Sequence, residues 1–378
     1  MSVFSAALVA LGIAYAIALA RHTSAFRRYA SRWEPHRHDR LPTVTVIVAA
    51  RNEAPRISSC IRSVAANDYP TALWEVVVVD DASEDETAGV VAALAQEIPR
   101  LTLVRAADAG VGTRGKRHAI EMGVAASTGE IILLTDADCI APRSWIRSMV
   151  ARFDAKTRFV AGPVVYSSGK TWLGRILELE LLGLVTIGGG AIALGRPNMC
   201  NGASIGFRRT TFQDVGGYAG ADRLTSGDDE LLMHKIARTH IGSVGFCPDP
   251  NALVETALPG SLPELFQQRK RWASKGLRYD DKGITLLALI VYLFNLALLV
   301  SLAAGLLGAA TWTAPAIAIL LKVGAEGWLF WTACRRFGRM YLLPGLVSGQ
   351  LFEVPYVVVV GAAGVAGGYH WKGRDIRR

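Results

Sequence analysis

Two pairs of aspartates stand where apolar runs of the sequence end. Asp136 and Asp138 follow IILLT, and Asp80 and Asp81 follow EVVVV. Asp136 and Asp138 are residues i and i+2, which on a strand point to the same face and lie about 6–7 Å apart. Two carboxylates at that separation can bind a divalent cation together with the phosphate oxygens of a substrate. A solvated strand end or a helix N-cap is the structural alternative.

More charged residues stand where helices are expected to begin. The segment SGDDELLMHKI places Asp228, Asp229 and Glu230 in the first turn of an amphipathic helix. Acids at this position often serve only the helix dipole, but one of them could act as a general base. Lys116, in RGKRHA, also precedes a helix, whose N terminus attracts anions such as phosphate. Surface charge is the alternative for this lysine.

A third motif, QQRKRW, is predicted to lie on a helix. Gln268, Arg271 and Trp272 occupy positions i, i+3 and i+4, so they share one helix face. A basic helix near a membrane would explain arginine and lysine as lipid contacts. It does not explain glutamine and tryptophan on the same stripe.

Several classes of function are disfavoured by the motifs that the sequence lacks. It has no P-loop and no G-x-G-x-x-G after the first predicted strand, which argues against a phosphate-cradling NTPase and a nicotinamide enzyme. Its basic residues cluster at membrane boundaries without interleaved aromatic residues, so we expect no nucleic-acid partner. The five cysteines form no CxxC pair, which indicates reduced thiols rather than a zinc site or disulfides.

The acidic motifs must be positioned by a sheet. Apolar runs that begin near Thr43, Trp74, Leu101 and Glu130 are typical of strands and alternate with helical segments. Continuous apolar strands belong to a mostly parallel sheet with helices on both faces, which makes the fold class α/β. The polar clusters then lie at the carboxyl ends of the strands, where open α/β sheets bind ligands.

The composition favours a protein that lies partly in a membrane, because its 378 residues are 51% hydrophobic. Its formal net charge is +9. Residues 2–20 carry no charge and are long enough to span a bilayer. Arginines follow between 21 and 40, which places that side in the cytoplasm. We expect a retained N-terminal transmembrane helix at 1–22, rather than a cleaved signal peptide, and a basic cytosolic linker at 23–42.

The C-terminal region 283–370 is also apolar. The predicted transmembrane helices cover about 284–309, 315–333 and 342–368. If the last of these segments crosses the membrane once, the basic tail 371–378 lies outside the cytoplasm. A re-entrant hairpin around Pro355 is the alternative.

One polar domain, predicted to be cytosolic, covers residues 43–282 between these apolar regions. Within it, residues 172–195 are first amphipathic and then apolar and rich in glycine. This segment could lie on the membrane surface, or it could form an ordinary core helix and loop. The whole chain is expected to be a multi-pass protein of the inner (plasma) membrane with a cytoplasmic catalytic domain.

Taken together, the motifs resemble those of a membrane-bound family-2 glycosyltransferase of the GT-A fold. The resemblance covers about residues 43–275 and includes the D, D, D, (Q/R)xxRW pattern shared by polysaccharide synthases and ceramide-type glucosyltransferases. The matching segments occur in the family's order: VTVIVAARNE, VVVVDDASEDET, GKRHAI, LLTDADC, NGASIGFRRTTFQDVGGY, SGDDE and QRKRW.

This resemblance implies roles in binding the donor. Asp81 would contact the uracil of a UDP-sugar, with Asn52 and Glu53 nearby. Lys116 would help to hold the nucleotide, and Asp136 would bind the nucleotide-sugar.

The resemblance also implies a metal and a base. Asp138 would ligate Mg²⁺ or Mn²⁺ between the diphosphate oxygens, with Asp136 beside it. Asp229 would match the last acid of the family's catalytic motif and act as the general base. Asp228 stands where glutamate is usual, so the base could be either of these two aspartates.

Gln268, Arg271 and Trp272 would close over the diphosphate and the acceptor end. A cation and Arg271 would neutralise the leaving UDP. An acceptor hydroxyl that attacks opposite the UDP would invert the anomeric centre.

Three kinds of function remain open for the acceptor side. The first is transfer of one sugar to a membrane lipid, and the second is a processive synthase that secretes a polysaccharide. The third is a non-catalytic lipid transporter or nucleotide-binding membrane protein. Lys322 and Glu326 would be the best support for the third, because charges within a membrane are functional candidates by default. They lie one turn apart and could simply pair.

Overall fold

A seven-stranded sheet forms the centre of the protein, with smaller sheets beside it. The computed structural model describes residues 2–106, 115–167, 171–219, 227–274, 282–366, 369–371 and 374–376. Its strands are β1 (Val44–Ala50), β2 (Trp74–Asp80), β3 (Leu101–Arg105), β4 (Ile131–Asp136), β5 (Cys139–Ile140), β6 (Phe159–Ala161), β7 (Val164–Tyr166), β8 (Ile205–Arg208), β9 (Val244–Phe246), β10 (Val254–Thr256), β11 (Tyr369–Trp371) and β12 (Arg374–Ile376). The strand order of the main sheet is β3-β2-β1-β4-β8-β6-β9.

Helices cover both faces of this sheet and continue beyond it. They are α1 (Val3–Ser31), α2 (Ile57–Ala65), α3 (Thr87–Glu97), α4 (Lys116–Ala126), α5 (Trp145–Val150), α6 (Trp172–Ala193), α7 (Arg209–Asp214), α8 (Asp228–Thr239), α9 (Leu262–Ala273), α10 (Lys282–Leu306), α11 (Thr313–Phe337) and α12 (Gly345–Ala366).

The order of the parallel strands creates a switch point beside β1. The chain builds β1, β2 and β3 outward in one direction and then returns to place β4 on the other side of β1. In register, Ala50 pairs with Asp80, and Ala49 pairs with Asp136. The acidic ends of β2 and β4 therefore lie at the same level, and ligands of open α/β sheets bind at such a switch point.

Side chains of β1 alternate between two hydrophobic cores. Val46 and Val48 join the core that includes Trp145 of α5, whereas Ile47 joins the core that includes Ile120 of α4. A strand buried on both faces needs apolar residues at every position, which explains the continuous valine and isoleucine runs. The predicted α/β class, with a mostly parallel sheet, is confirmed.

Five helices of the described residues are long and apolar enough to cross a membrane, judged by length and composition. They are α1, α6, α10, α11 and the part of α12 that ends at Val365. Leu8 of α1, Phe294 of α10 and Ala318 of α11 belong to one shared hydrophobic core. These helices therefore pack as a bundle beside the sheet.

The prediction of a linker at 23–42 is wrong for its first part, because α1 continues as a helix to Ser31. Phe26 is fully buried in the core that contains α4. The hydroxyl of Tyr29 donates a hydrogen bond to the carbonyl oxygen of Phe246 at 3.0 Å. The arginines of this segment point outward, so a helical stripe anchors α1 in the domain.

The segment predicted at 172–195 forms one helix, α6, which is mostly buried in the protein. Its first turn exposes Trp172 and Leu173, and contact of this turn with a membrane surface stays a prediction.

The glycines of α6 allow close packing on two sides. A Cβ atom on Gly190 would lie 2.4 Å from the carbonyl oxygen of His22 in α1. A Cβ on Gly188 would lie 3.0 Å from the carbonyl oxygen of Met199. Glycine is required here because the neighbouring atoms belong to the backbone.

The last apolar segment is one continuous helix, α12, with Pro355 inside it. The hairpin considered for this segment is therefore not present. The predicted basic tail 371–378 is described only in part, and its described residues belong to the antiparallel pair of β11 and β12. The rest of the tail, and the predicted end of the polar domain at 275–281, lie outside the described residues.

Candidate active site

One cavity of ≈1490 Å³ opens at the carboxyl ends of β1, β2 and β4 and continues between α1, α6, α10, α11 and α12. Residues from well-separated parts of the sequence meet in it. With the exception of Asn52, the site residues predicted from the sequence all line the cavity. They are Glu53, Asp81, Lys116, Asp136, Asp138, Asp229, Gln268, Arg271 and Trp272.

Asn52 shapes the loop beside the cavity. Its Oδ1 accepts a hydrogen bond from the backbone N–H of Glu84 at 2.8 Å, and its own N–H donates to Oγ of Ser83 at 3.0 Å. Asn52 has φ of 52° and Ala82 has φ of 55°. Such strain costs about 1–3 kcal/mol per residue and clusters at functional sites. The nucleotide contact of Asn52 stays a prediction.

The N terminus of α4 faces the cavity beside the acidic strand ends. The N–H of Gly115 donates to Oδ1 of Asp81 at 2.9 Å. Lys116 forms an ion pair with Asp136. Burial alone would lower the pKa of Lys116, but the charges of Asp136 and Asp229 raise it above its usual value. A charged lysine at a helix N terminus makes this end suitable for an anion.

Asp136 and Asp138 fit a cation that is shared with a diphosphate. Both are half-buried and line the cavity with hard oxygen donors. Within the described ranges, no group of three His, Cys, Asp or Glu residues is placed to hold a metal alone. Mg²⁺ typically uses one or two carboxylates plus substrate phosphates. Burial raises the pKa of the neighbouring Cys139 thiol, which keeps it protonated and disfavours it as a ligand.

Asp228 and Asp229 differ in their partners. Arg117 donates from Nε to Oδ1 of Asp228, so that carboxylate is held in an ion pair. The carboxylate of Asp229 makes no hydrogen bond or ion pair with the part of the chain that the structure describes. It adjoins Gly202, where a Cβ would lie 3.4 Å from Oδ2 of Asp229 and 3.3 Å from Nζ of Lys116. Of the two, Asp229 is better placed to take a proton.

Helix α9 presents Gln268, Arg271 and Trp272 to the cavity, as their spacing predicts. Ser261 caps the N terminus of this helix, and its side chain accepts a hydrogen bond from the backbone N–H of Glu264. The hydroxyl of Tyr166 donates to Oε1 of Gln268 at 2.7 Å. The motif therefore lies on a capped helix and is hydrogen-bonded to β7, a strand of the three-stranded sheet.

Arg269 was not singled out from the sequence, although it anchors the same helix. Its side chain is 3% exposed, and its Nη2 lies 2.7 Å from Oε2 of Glu180 in α6. Its Cζ lies 4.2 Å from the ring centroid of Trp272. Tyr356 of α12 donates to Oε1 of Glu180 at 3.4 Å. An acid inside the apolar segment 172–195 is the signal that could have indicated a buried partner.

Family models match most of the region that contains these residues. The model described as Glycosyl transferase family 2 matches residues 45–216, and that of Glycosyl transferase family group 2 matches residues 131–343, more than half of the chain. The chain belongs to the family-2 glycosyltransferases. The resemblance drawn from the sequence motifs is thereby confirmed.

Individual relatives are more distant. A beta-monoglucosyldiacylglycerol synthase of Synechocystis is 29% identical over 253 residues, 64% of this chain and 49% of its own length. A poly-beta-1,6-N-acetyl-D-glucosamine synthase of Staphylococcus epidermidis is 25% identical over 242 residues, 63% of this chain and 56% of its own length. The chain thus spans about half the length of these curated relatives.

A solved structure resembles nearly the whole glycosyltransferase. The mannosyltransferase PcManGT from Pyrobaculum calidifontis, determined in complex with GDP-Man and Mn²⁺, matches with a TM-score of 0.59 and 25% identity. The match covers 92% of this chain and 99% of that one. Together with the family models, this similarity supports the GT-A fold.

Proposed function

We propose that this glycosyltransferase moves a sugar from a UDP-sugar to a hydroxyl of a membrane lipid, with inversion and with Mg²⁺ or Mn²⁺. The observation that carries the proposal is the single cavity, which joins the polar edge of the sheet to an apolar space between helices. Sugar transfer needs both substrates in one space, and a lipid needs an apolar route to it. The relative named as a glucosyldiacylglycerol synthase supports a lipid acceptor.

The donor is proposed to bind at the N terminus of α4. Asp81 contacts the base, Glu53 lies nearby, and Lys116 with the first N–H groups of α4 holds the diphosphate. The solved complex of PcManGT with GDP-Man and Mn²⁺ supports a nucleotide-sugar donor and a divalent metal.

Asp138, with Asp136 beside it, would hold the cation. When bound, the cation neutralises charge that develops on the leaving diphosphate. Arg271 adds a second positive charge to the same wall of the cavity. Gln268, held by Tyr166, and Trp272 close the site from α9 and exclude water.

Asp229 is proposed as the general base. Its carboxylate adjoins Gly202 and takes the proton of the acceptor hydroxyl as that oxygen attacks the anomeric carbon. Attack from the side opposite the diphosphate inverts the anomeric centre, so an α-linked donor gives a β-linked product. We further propose that the helices lie in the plasma membrane and that the sheet faces the cytoplasm.

A processive polysaccharide synthase is the second candidate. The relative named as a poly-beta-1,6-N-acetyl-D-glucosamine synthase favours it. The long cavity could also hold a growing glycan. The two candidates share every proposed donor contact and differ only in the product, which is an organic-soluble lipid in one case and a water-soluble polymer in the other.

The substitution Asp229→Asn tests the catalytic proposal. We expect turnover of the UDP-sugar to fall by about 10²–10⁴-fold because the base is lost. Metal-dependent binding of UDP, measured by calorimetry, should persist because Asn keeps the size of the side chain. Asp214→Asn, at an exposed position of α7, is the matched control and should keep full turnover. Equal turnover of the Asp229 and Asp214 variants would contradict the proposed base.

A further inference from the structure

The part of the cavity between the helices, called here the helical arm, has an unusual set of charges. Among the described residues that α1, α6, α10, α11 and α12 contribute to its lining, there are three carboxylates and no lysine or arginine. The carboxylates belong to Glu180, Glu326 and Glu353. The other lining residues of these helices are mostly apolar, with tyrosines and His22 of α1 among them.

Two of these carboxylates share one buried lysine. Nζ of Lys322 lies 2.5 Å from Oε1 of Glu326 and 2.8 Å from Oε2 of Glu353. Tyr15 also donates to Glu326, and Nε2 of Gln350 donates to its Oε2 at 2.5 Å. The two carboxylates and one ammonium leave this cluster with one negative charge when all three groups are ionised.

A structural ion pair would need only one of these glutamates. Lys322 and Glu326 are 1% and 2% exposed and neutralise each other, whereas the side chain of Glu353 is 33% exposed and lines the cavity. An additional charge within a membrane-spanning helix is costly and is a functional candidate by default. All hydrogen bonds that Glu353 receives from the described residues reach its Oε2. Its Oε1 is therefore available to a hydrogen-bond donor in the cavity.

A second observation points to a ligand in the same cavity. Asn198 is 4% exposed and lines the cavity, yet its Oδ1 has no hydrogen-bond partner within the described residues. A buried amide oxygen without a partner costs about 1–3 kcal/mol. The residue immediately precedes Met199, which packs against Gly188 of α6. The unpartnered amide of Asn198 is thus a further polar group beside the cavity, in the loop that follows α6.

We infer that the helical arm binds an uncharged lipid acceptor whose hydroxyl or amide groups donate hydrogen bonds to Glu353, and that it rejects lipid phosphates. This inference rests on the proposed glycosyl transfer and narrows its acceptor class. The apolar walls fit acyl or isoprenoid chains, and the oxygen acceptors fit hydroxyl or N–H donors. Arg269 balances Glu180, and Lys322 balances only one of Glu326 and Glu353. When these groups are ionised, a phosphate would face the remaining negative charge without a lysine or arginine in the described lining of the arm, and like charges repel.

Matched lipids that differ by one phosphate test this inference. The purified full-length protein, with Mn²⁺ and a radiolabelled UDP-sugar, transfers label to total membrane lipid in the presence of ceramide or ceramide 1-phosphate as competitor. Diacylglycerol and phosphatidic acid form a second pair. We expect half-inhibition by the uncharged member at a concentration at least about tenfold lower than that of its phosphate, because like charges in an interface are strongly unfavourable.

Glu353→Gln should reduce the ratio of the two half-inhibitory concentrations, phosphate to uncharged lipid, to below about threefold. The reason is that the substitution removes the unbalanced charge of the arm. Glu97→Gln, at an exposed ion pair with Arg62, is the control and should keep the wild-type ratio. If the Glu353 variant does not fold, the wild-type ratio decides the question alone. A phosphate that competes as well as its uncharged partner, or failure of all four lipids to compete, would overturn the inference. Metal-dependent UDP binding, measured in parallel, would fail only if the donor proposal is also wrong.

Discussion

The two ends of the cavity differ in charge although they form one continuous space. The sheet end mixes acids with the cations Arg51, Lys116, Arg117 and Arg271. The helical arm has carboxylates and, within its described lining, no lysine or arginine. A nucleoside diphosphate needs cations and a metal, whereas an uncharged acceptor needs apolar walls and hydrogen-bond acceptors. This contrast agrees with the proposal that each end binds a different substrate.

The junction between the two ends is the helix α9. Its Arg271 lines the cavity, and its buried Arg269 pairs with Glu180 of the helical arm. Burial alone would lower the pKa of Arg269, but the charge of Glu180 raises it above its usual value. The guanidinium therefore stays charged and connects the two halves of the cavity.

The largest expected effect comes from removing the metal at the sheet end. Asp138→Ala should reduce turnover by about 10²-fold or more, because the leaving diphosphate loses its main neutralising charge. Chelation of the wild-type protein should reproduce the loss, and chelator should have little further effect on the variant. Asp214→Ala should behave as wild type. A variant that keeps metal-stimulated turnover would show that the cation is held elsewhere.

A smaller effect is expected at the junction. Arg269→Met leaves Glu180 without its buried partner, so we expect a loss of stability of about 3 kcal/mol, measured as a lower midpoint of thermal unfolding in detergent. The double variant with Glu180→Gln should recover part of this loss. Arg62→Met, which breaks an exposed ion pair with Glu97, should cost under about 1 kcal/mol. Equal losses of stability in Arg269→Met and Arg62→Met would show that the buried ion pair does not anchor α9.

The smallest expected effect concerns packing in the helical half. Gly190→Ala places a Cβ 2.4 Å from the carbonyl oxygen of His22, which should destabilise the protein by about 1–3 kcal/mol. Gly324→Ala in α11 meets no atom within 4 Å and should be neutral or stabilising by up to about 1 kcal/mol. Thermal unfolding of both variants measures the difference. A Gly190 variant as stable as wild type would mean that α1 and α6 can separate at no cost.

Most of the sheet end could be predicted from the sequence. Each strand and the acids that follow it are local features, and the parallel arrangement brings Asp81 and Asp136 to one edge. The choice between Asp228 and Asp229 could not be predicted, because it depends on Arg117, which is distant in sequence. Proximity in the fold, and not residue type, distinguishes these two aspartates.

The helical arm could be predicted much less completely. Lys322 and Glu326 are one turn apart, so their pairing could be predicted from the sequence. The contact of Glu353 with Lys322 could not, because it depends on how α11 and α12 pack. Arginines after residue 20 indicated a linker, yet the buried Phe26 and Tyr29 continue a helical stripe through them. The charge pattern did not reveal this buried stripe, because the arginines lie on the exposed face of the same helix.

Product analysis tests the central claim most directly. Purified full-length protein is incubated with Mn²⁺, radiolabelled UDP-sugars and total membrane lipid, and the organic and aqueous phases are then separated. If the cavity joins a nucleotide-sugar site to a lipid site, label from at least one donor should enter the organic phase, and a chelator should abolish this transfer. Label confined to a long water-soluble polymer, or no transfer from any UDP-sugar, would contradict the account.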